Sequence, residues 1–191
     1  MMSKNLLMLL LTVFPLAGAV GQNTALANFL QCIEAQNGAD NLLLNGRSYL
    51  PPHPRAAGHP YFQSEDWKPG TVYVKGHPFP VEQLQYDLFT DQLLIQREQS
   101  NGMLQRVVLS PLLVDSFEIA AHLFVPRAAI LPESESKGYL EKVYAEKMAF
   151  FRFQRKVLDP VSNLQPHGKF SALKEVFFLL RDQQSYRITQ K

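Results

Sequence analysis

Short runs of β-type residues follow one another between residues 70 and 126, and turn signals separate them. The runs are GTVYVKG, QLQYDLF, QLLIQRE, MLQRVVL, VDSFEIA and AHLFVP. Apolar and polar residues alternate along QLQYDLF, with one face made of Leu84, Tyr86 and Leu88 and the other of Gln83, Gln85 and Asp87. This alternation is typical of a half-buried antiparallel strand. Runs at this spacing predict a mainly β domain, built as a curved antiparallel sheet or an open β-barrel.

The segments around these runs predict further elements. Asn101-Gly102 is a strong hairpin signal between two of the runs. NTALANFLQCIEAQNG predicts a short N-terminal helix, whereas four prolines between residues 51 and 60 exclude a helix or a central strand there. KGYLEKVYAEKMAFFRFQRKVL predicts two strands joined near residues 145–147. For residues 171–183, SALKEVFFLLRDQ, we favour a C-terminal helix because apolar residues recur at helical spacing, with a strand as the alternative.

Residues 1–21 resemble a signal peptide. Lys4 precedes an apolar run from Leu6 to Leu16, and small residues follow it where a signal peptidase could cut. The run is too short to span a bilayer. We therefore expect an exported protein, periplasmic or associated with the outer membrane but not integral to a membrane, with residues 22–191 forming one domain. Cys32, the only cysteine, excludes an intramolecular disulfide and is expected on the apolar side of the N-terminal helix.

Charge and motifs exclude several classes of function. Removal of Lys4 with the signal peptide lowers the formal net charge from +2 to +1, and no basic block is present, so nucleic acid is not an expected partner. No nucleotide-binding motif or nucleophile elbow is found, and we expect no cofactor, no metal and no catalytic residue. His53, His59 and His77 lie among turns, where solvated histidines are more common than ligands. The competing hypothesis is a metal-dependent hydrolase that uses His59, His77 and Asp87.

The stretch AFFRFQRK holds the strongest candidate for a binding surface. Phe150, Phe151 and Phe153 stand beside Arg152, and together they could form an apolar groove with a basic rim for a lipid or a peptide. The alternative is a strand with two buried faces whose charged side chains reach water. His122 is expected to be a packed or edge histidine in a strand.

Several short motifs together resemble a group of uncharacterised exported proteins of Bacteroidota bacteria. They are N-G-x-x-Y at residues 45–49, G-H-x-F/Y-F at 58–62, G-x-V-x-Y-x-G at 70–76, Y-D-x-x-x-D-x-L at 86–93 and G-x-Y-x-x-x-Y at 138–144. The positions that matter most are Gly58, His59, Gly70, Gly76, Tyr86, Asp87, Gly138 and Tyr144. Leu140 departs from the pattern, which has an aromatic residue there. The resemblance implies an envelope protein with a mostly β fold and no known activity.

These observations together predict a non-enzymatic exported envelope protein. Its partner is expected to be another envelope protein or an apolar small molecule. A curved sheet with aromatic residues also resembles bacterial lipoprotein carriers in general form, so lipid or lipoprotein carriage is the alternative binding role.

Overall fold

A large antiparallel sheet dominates the computed structural model, which describes residues 46–99, 101–131, 138–181 and 184–188. The described elements are β1 (Arg47–Ser48), β2 (Lys68–Val74), β3 (His77–Asp87), β4 (Gln92–Glu98), β5 (Leu104–Val108), β6 (Ser116–Ile119), β7 (His122–Pro126), α1 (Arg127–Ile130), β8 (Tyr139–Ala145), β9 (Ala149–Arg155), β10 (Leu158–Asp159), β11 (Lys169–Phe170), β12 (Lys174–Arg181) and β13 (Gln184–Ile188). The predicted mainly β class is confirmed.

Eleven of these strands form one sheet in the order β1-β5-β4-β3-β2-β6-β7-β8-β9-β12-β13, and β10 pairs with β11 separately. All neighbouring strands in the large sheet are antiparallel. The pairing of β2 with β6 joins two meanders, one running out through β3, β4 and β5 and the other through β7, β8, β9, β12 and β13. The sheet is not closed.

The sheet curls strongly around an aromatic cluster. Tyr86 in β3 and Tyr139 in β8 are four strand spacings apart, or roughly 19 Å across a flat sheet. Their ring centroids are nevertheless 5.9 Å apart. Phe117 and Phe124 lie between them, stacked 4.8 Å apart. We call the side that carries these four rings the concave face and the opposite side the outer face.

Two irregularities of register accompany the curvature. Three residues of β3 oppose two of β2 beside Lys68 and Gly70, and β8 carries an extra residue opposite β9 between Lys142 and Tyr144. Such bulges increase local twist and bend the sheet. On the outer face, α1 leads into an apolar cluster whose buried members are Leu131, Leu140 and Phe151.

Residues with positive φ form three turns of the sheet, of which the one at Asn101-Gly102 is predicted from the sequence. Lys75 and Gly76 connect β2 to β3 with φ of 50° and 76°, and Ala120 and Ala121 connect β6 to β7 with φ of 51° and 62°. Positive φ at both central residues matches the right-handed twist of a tight hairpin. Gly102, with φ of 78°, lies in the predicted hairpin between β4 and β5.

One predicted element is wrong, and another lies outside the described residues. Residues 174–181 form strand β12 rather than a helix, pairing with β9 on one side and β13 on the other. Their five consecutive apolar residues, 176–180, satisfy both faces of a strand, and this tertiary pairing outweighs the helical spacing. The segments predicted to form an N-terminal helix and a signal peptide, together with Cys32, lie outside the described residues. Among the described residues, no helix is long and apolar enough to cross a membrane.

Candidate functional site

The segment rich in prolines, residues 49–62, crosses the outer face of β3 and β5. We call this segment the arch. The Tyr49 amide donates to the Arg106 carbonyl at 2.9 Å, Ala57 bridges to Lys169, and the Phe62 amide donates to the Tyr86 carbonyl at 2.8 Å. Prolines fill much of the chain between these anchors and have no amide hydrogen to donate to the sheet. The segment therefore stands away from the sheet between the anchors and leaves a cavity beneath it.

This cavity, which we call the proline pocket, has a volume of about 370 Å³. Its lining comes from the arch, from the outer face of the sheet and from β11: Tyr49, Pro51, Pro52, His53, Pro54, Ala56, Gly58, Pro60, Tyr61, Glu65, Trp67, Gln85, Arg106 and Phe170. Cavities of this size, with apolar walls and a few polar groups, are typical small-molecule sites. A neighbouring cavity of about 280 Å³ shares Tyr49 and Pro52 with it.

A buried carboxylate fixes the wall of the pocket. Asp87 is fully buried and accepts hydrogen bonds from the Tyr49 hydroxyl at 2.7 Å and the Thr90 hydroxyl at 2.6 Å. The amides of Phe89 and Thr90 donate to its other oxygen at 2.8 and 3.0 Å. Burial and the hydrogen bond to Asp87 raise the pKa of Tyr49 well above its usual value. Tyr49 therefore remains a neutral donor with a fixed ring position.

His59 and Lys156 support Tyr61 near the pocket. The Lys156 ammonium donates to the His59 carbonyl at 2.7 Å and approaches His59 Nδ1 at 3.2 Å. Burial lowers the pKa of both side chains, and Lys156 lowers that of His59 further. The His59 ring stacks on Tyr61 with centroids 6.3 Å apart. This pairing favours a neutral imidazole that acts as a hydrogen-bond acceptor.

Besides His53 and the hydroxyls of Tyr49 and Tyr61, the polar side chains of the pocket are Arg106, Glu65 and Gln85. The Arg106 guanidinium lies over the Trp67 ring, 5.9 Å from its centroid. Gln85 is only 3% exposed, and its amide nitrogen donates to the Glu65 carbonyl at 2.7 Å. The pocket thus combines aromatic and proline walls with one cation, one anion and one amide.

A second polar cluster lies on the concave face. Glu141, only 4% exposed, contacts His122 Nδ1 at 2.7 Å and Arg152 Nε at 2.8 Å. Arg152 also reaches Glu175 at 3.1 Å. One buried carboxylate is thus paired with two basic side chains, which links β7, β8, β9 and β12 across their strand pairs.

The other nitrogen of His122 is also occupied. Gln63 Nε2 lies 3.0 Å from His122 Nε2, and the Lys68 ammonium donates to Gln63 Oε1 at 2.8 Å. Since Lys68 fixes the amide orientation, Gln63 is the donor and His122 Nε2 the acceptor. A general base needs a nitrogen lone pair that can reach a substrate. The His122–Glu141 pair therefore acts as a structural link.

The structure divides the predicted groove between two faces. Phe150 and Arg152 point to the concave face, while Phe151 and Phe153 point to the outer face, because neighbouring strand residues alternate. Phe151 is buried in the outer-face apolar cluster, with Phe153 packed against it. These four side chains are therefore not brought together in one groove, and a role for any of them in ligand binding stays a prediction.

The positions of the motif resemblance are spread along the fold, and three of them meet at the proline pocket. Gly58 lines the pocket, His59 supports Tyr61 and Asp87 fixes Tyr49. The other five lie elsewhere: Gly70 in β2, Gly76 in the β2–β3 turn, Tyr86 in the aromatic cluster, Gly138 just before β8 and Tyr144 half-exposed in β8.

The tripeptide Gly-His-Pro occurs twice, at residues 58–60 and 76–78, and the two copies occupy different environments. Tyr61 pairs with Asp87 at one end of β3, which places His59 there, whereas His77 is exposed at the opposite end. The strand between His77 and Asp87 spans roughly 30 Å, too far for the two residues to share one ion. The described residues contain no group of three or more His, Cys, Asp or Glu side chains that could hold a metal ion.

The sequence did not predict a site role for five residues that line the pocket: Tyr49, Glu65, Trp67, Gln85 and Arg106. Two signals pointed toward them, namely the only tryptophan of the chain shortly after the prolines and the polar face of β3. No protein-family model, curated protein or solved structure matches the chain. The pocket therefore has to be interpreted from its own chemistry.

Proposed function

We propose that the chain is a non-enzymatic binding protein whose ligand site is the proline pocket. The observation that carries the proposal is the anchoring of the arch, at Tyr49 and Phe62 to the large sheet and at Ala57 to β11, which holds the cavity open. A site that is already formed loses little conformational entropy when a ligand binds. Export to the cell envelope and the resemblance to exported Bacteroidota proteins belong to the same proposal.

The concave face supports this choice over lipid carriage. A carrier with a curved sheet would place an acyl chain against that face. Here Tyr86, Phe117, Phe124 and Tyr139 pack against one another on it through edge and stacked contacts. The rings occupy space that an acyl chain would need, so the outer-face pocket is the better candidate site.

Trp67 provides a direct test because it is the only tryptophan in the chain. Its fluorescence and its indole N–H signal in NMR spectra report on the pocket without a label. We expect fragments from a general small-molecule library to shift both signals. Ala56→Phe, which fills the pocket, should weaken their binding at least about tenfold, while Ala172→Phe at an exposed position should not.

Two outcomes would count against the proposal. One is a library in which no fragment shifts the Trp67 signals. The other is a set of fragments that bind Ala56→Phe as tightly as the wild type, since their site would then lie elsewhere.

A further inference from the structure

Three polar groups of the proline pocket have side-chain atoms without a hydrogen-bond partner among the described residues. The Arg106 guanidinium contacts Trp67 and reaches no hydrogen-bond acceptor there. The Glu65 carboxylate forms no salt bridge there, although its charge acts on Lys156, and Gln85 Oε1 accepts no hydrogen bond. The pocket thus presents donors and acceptors that are free to bind a ligand.

We propose that the proline pocket binds a small zwitterion of the amino-acid type, with the ligand carboxylate at Arg106 and its ammonium at Glu65 and Gln85. This inference rests on the ligand site proposed above and adds the chemical class of the ligand.

The carboxylate end follows from the geometry of Arg106. The Arg106 guanidinium lies over the Trp67 ring, 5.9 Å from its centroid, so the side chain is directed into the pocket. Its planar fork of N–H donors matches the two oxygens of a carboxylate. A contact that restricts the side chain before binding reduces the entropy that a long arginine otherwise loses.

The ammonium end follows from Gln85 and Glu65. Gln85 is held in the floor of the pocket because its amide nitrogen donates to the Glu65 backbone. Its orientation is thereby fixed, with the carbonyl oxygen left as an acceptor. Glu65 adds a negative charge to the same wall, and together the two groups can accept from an ammonium.

Tyr61 lines the same pocket as the two charges. Burial raises the pKa of Tyr61, and beyond that effect Arg106 lowers it while Glu65 raises it. Tyr61 itself, Phe170 and Pro60 offer an apolar surface for a ligand side chain. A purely apolar ligand would instead bury Gln85 Oε1 without a donor, which is unfavourable.

L-phenylalanine and its two blocked forms test this assignment by calorimetry and ligand-observed NMR. N-acetyl-L-phenylalanine keeps only the carboxylate, and L-phenylalaninamide keeps only the ammonium. We expect the zwitterion to bind about tenfold or more tightly than either blocked form, as the loss of one charged hydrogen-bonding group implies.

Charge-removing variants assign each end of the ligand. Arg106→Gln should lower the affinity for L-phenylalanine about tenfold and leave the affinity for L-phenylalaninamide unchanged. Glu65→Gln should lower the affinity for L-phenylalanine similarly and leave the affinity for N-acetyl-L-phenylalanine unchanged. Arg97→Gln and Glu118→Gln, which alter charges outside the pocket, serve as matched controls. They should leave the affinities for L-phenylalanine and for both blocked forms unchanged.

The outcomes separate this inference from the proposed function. If other fragments shift the Trp67 signals but L-phenylalanine does not bind, the zwitterion assignment is wrong and the pocket remains a ligand site. Equal affinity for the zwitterion and its blocked forms would overturn the assignment in the same way. If no compound shifts the Trp67 fluorescence or indole N–H signal, both proposals fail.

Discussion

Asp91 is a partly buried acid whose surroundings disfavour its charge. It ends the turn between β3 and β4 with φ of 55°, and a Cβ at Gly138 would lie only 2.8 Å from its Cγ. Burial raises the pKa of Asp91 from 3.8 to about 6, although the Tyr86 hydroxyl and the charges of Arg155 and Arg127 act to lower it. Replacement of this carboxyl by an amide of the same shape should therefore stabilise the protein.

The size and sign of the effect follow from the two pKa values. The native state binds the Asp91 proton more tightly than the unfolded chain, so stability falls as the pH rises from 3.8 to about 6 and stays lower above that. A pKa difference of about 2 units lowers the free energy of unfolding by about 3 kcal/mol at pH 7.5. Asparagine tolerates positive φ and keeps an oxygen that can accept from Tyr86. Asp91→Asn should recover about 2–3 kcal/mol.

Urea unfolding at pH 4, 5, 6 and 7.5, followed by Trp67 fluorescence, measures this effect. The variant should match the wild type near pH 4 and become progressively more stable than it up to pH 7.5. Asp159→Asn removes an exposed acid from β10 and should change stability by less than about 0.5 kcal/mol. A variant that is no more stable than the wild type at pH 7.5 would refute the reasoning.

Further predictions concern backbone contact and buried charge, and urea unfolding at pH 7.5 checks each. Gly70→Ala should cost about 3 kcal/mol, because its Cβ would lie 2.3 Å from the Glu118 carbonyl oxygen, and a smaller loss than about 1 kcal/mol would contradict that contact. Glu141→Gln should cost about 3 kcal/mol and the more exposed Glu175→Gln less than about 1, so equal losses would argue against a buried ion pair. Asp87→Asn should cost about 3 kcal/mol by turning an amide toward hydrogen-bond donors, and a neutral result would count against it.

Local patterns predict most of the fold. The alternation in QLQYDLF, the Asn101-Gly102 turn and the two strands around residues 145–147 all reappear at the expected places. Strand alternation and turn chemistry are local properties, so they can be read without knowing the neighbours of a segment. Residues 174–181 show the limit of this approach, because a run of five apolar residues suits a helix or a doubly buried strand equally until its pairing partners are known.

The site is harder to predict because it depends on contacts distant in sequence. The polar face of β3 was expected in water, yet Gln85 and Asp87 are 3% and 0% exposed. The arch covers that face, and the sequence of β3 alone does not show whether water or another segment of the chain covers it. Tyr49 and Arg106 likewise meet only because β1 pairs with β5 at the sheet edge. A polar side chain in a strand can either face solvent or line a binding site, and the strand sequence does not distinguish the two.

The two faces of β3 explain why a pocket forms here. Tyr86 points to the concave face and joins an aromatic cluster, so packing on that side holds the strand in place. Gln85 and Asp87 point to the outer face, where they bind the Glu65 backbone and the Tyr49 hydroxyl. A buried polar group is tolerated only when it is hydrogen-bonded, so these two side chains favour an arch that supplies partners. The prolines then prevent the arch from closing onto the sheet, and the same strand that completes the core also forms the floor of the site.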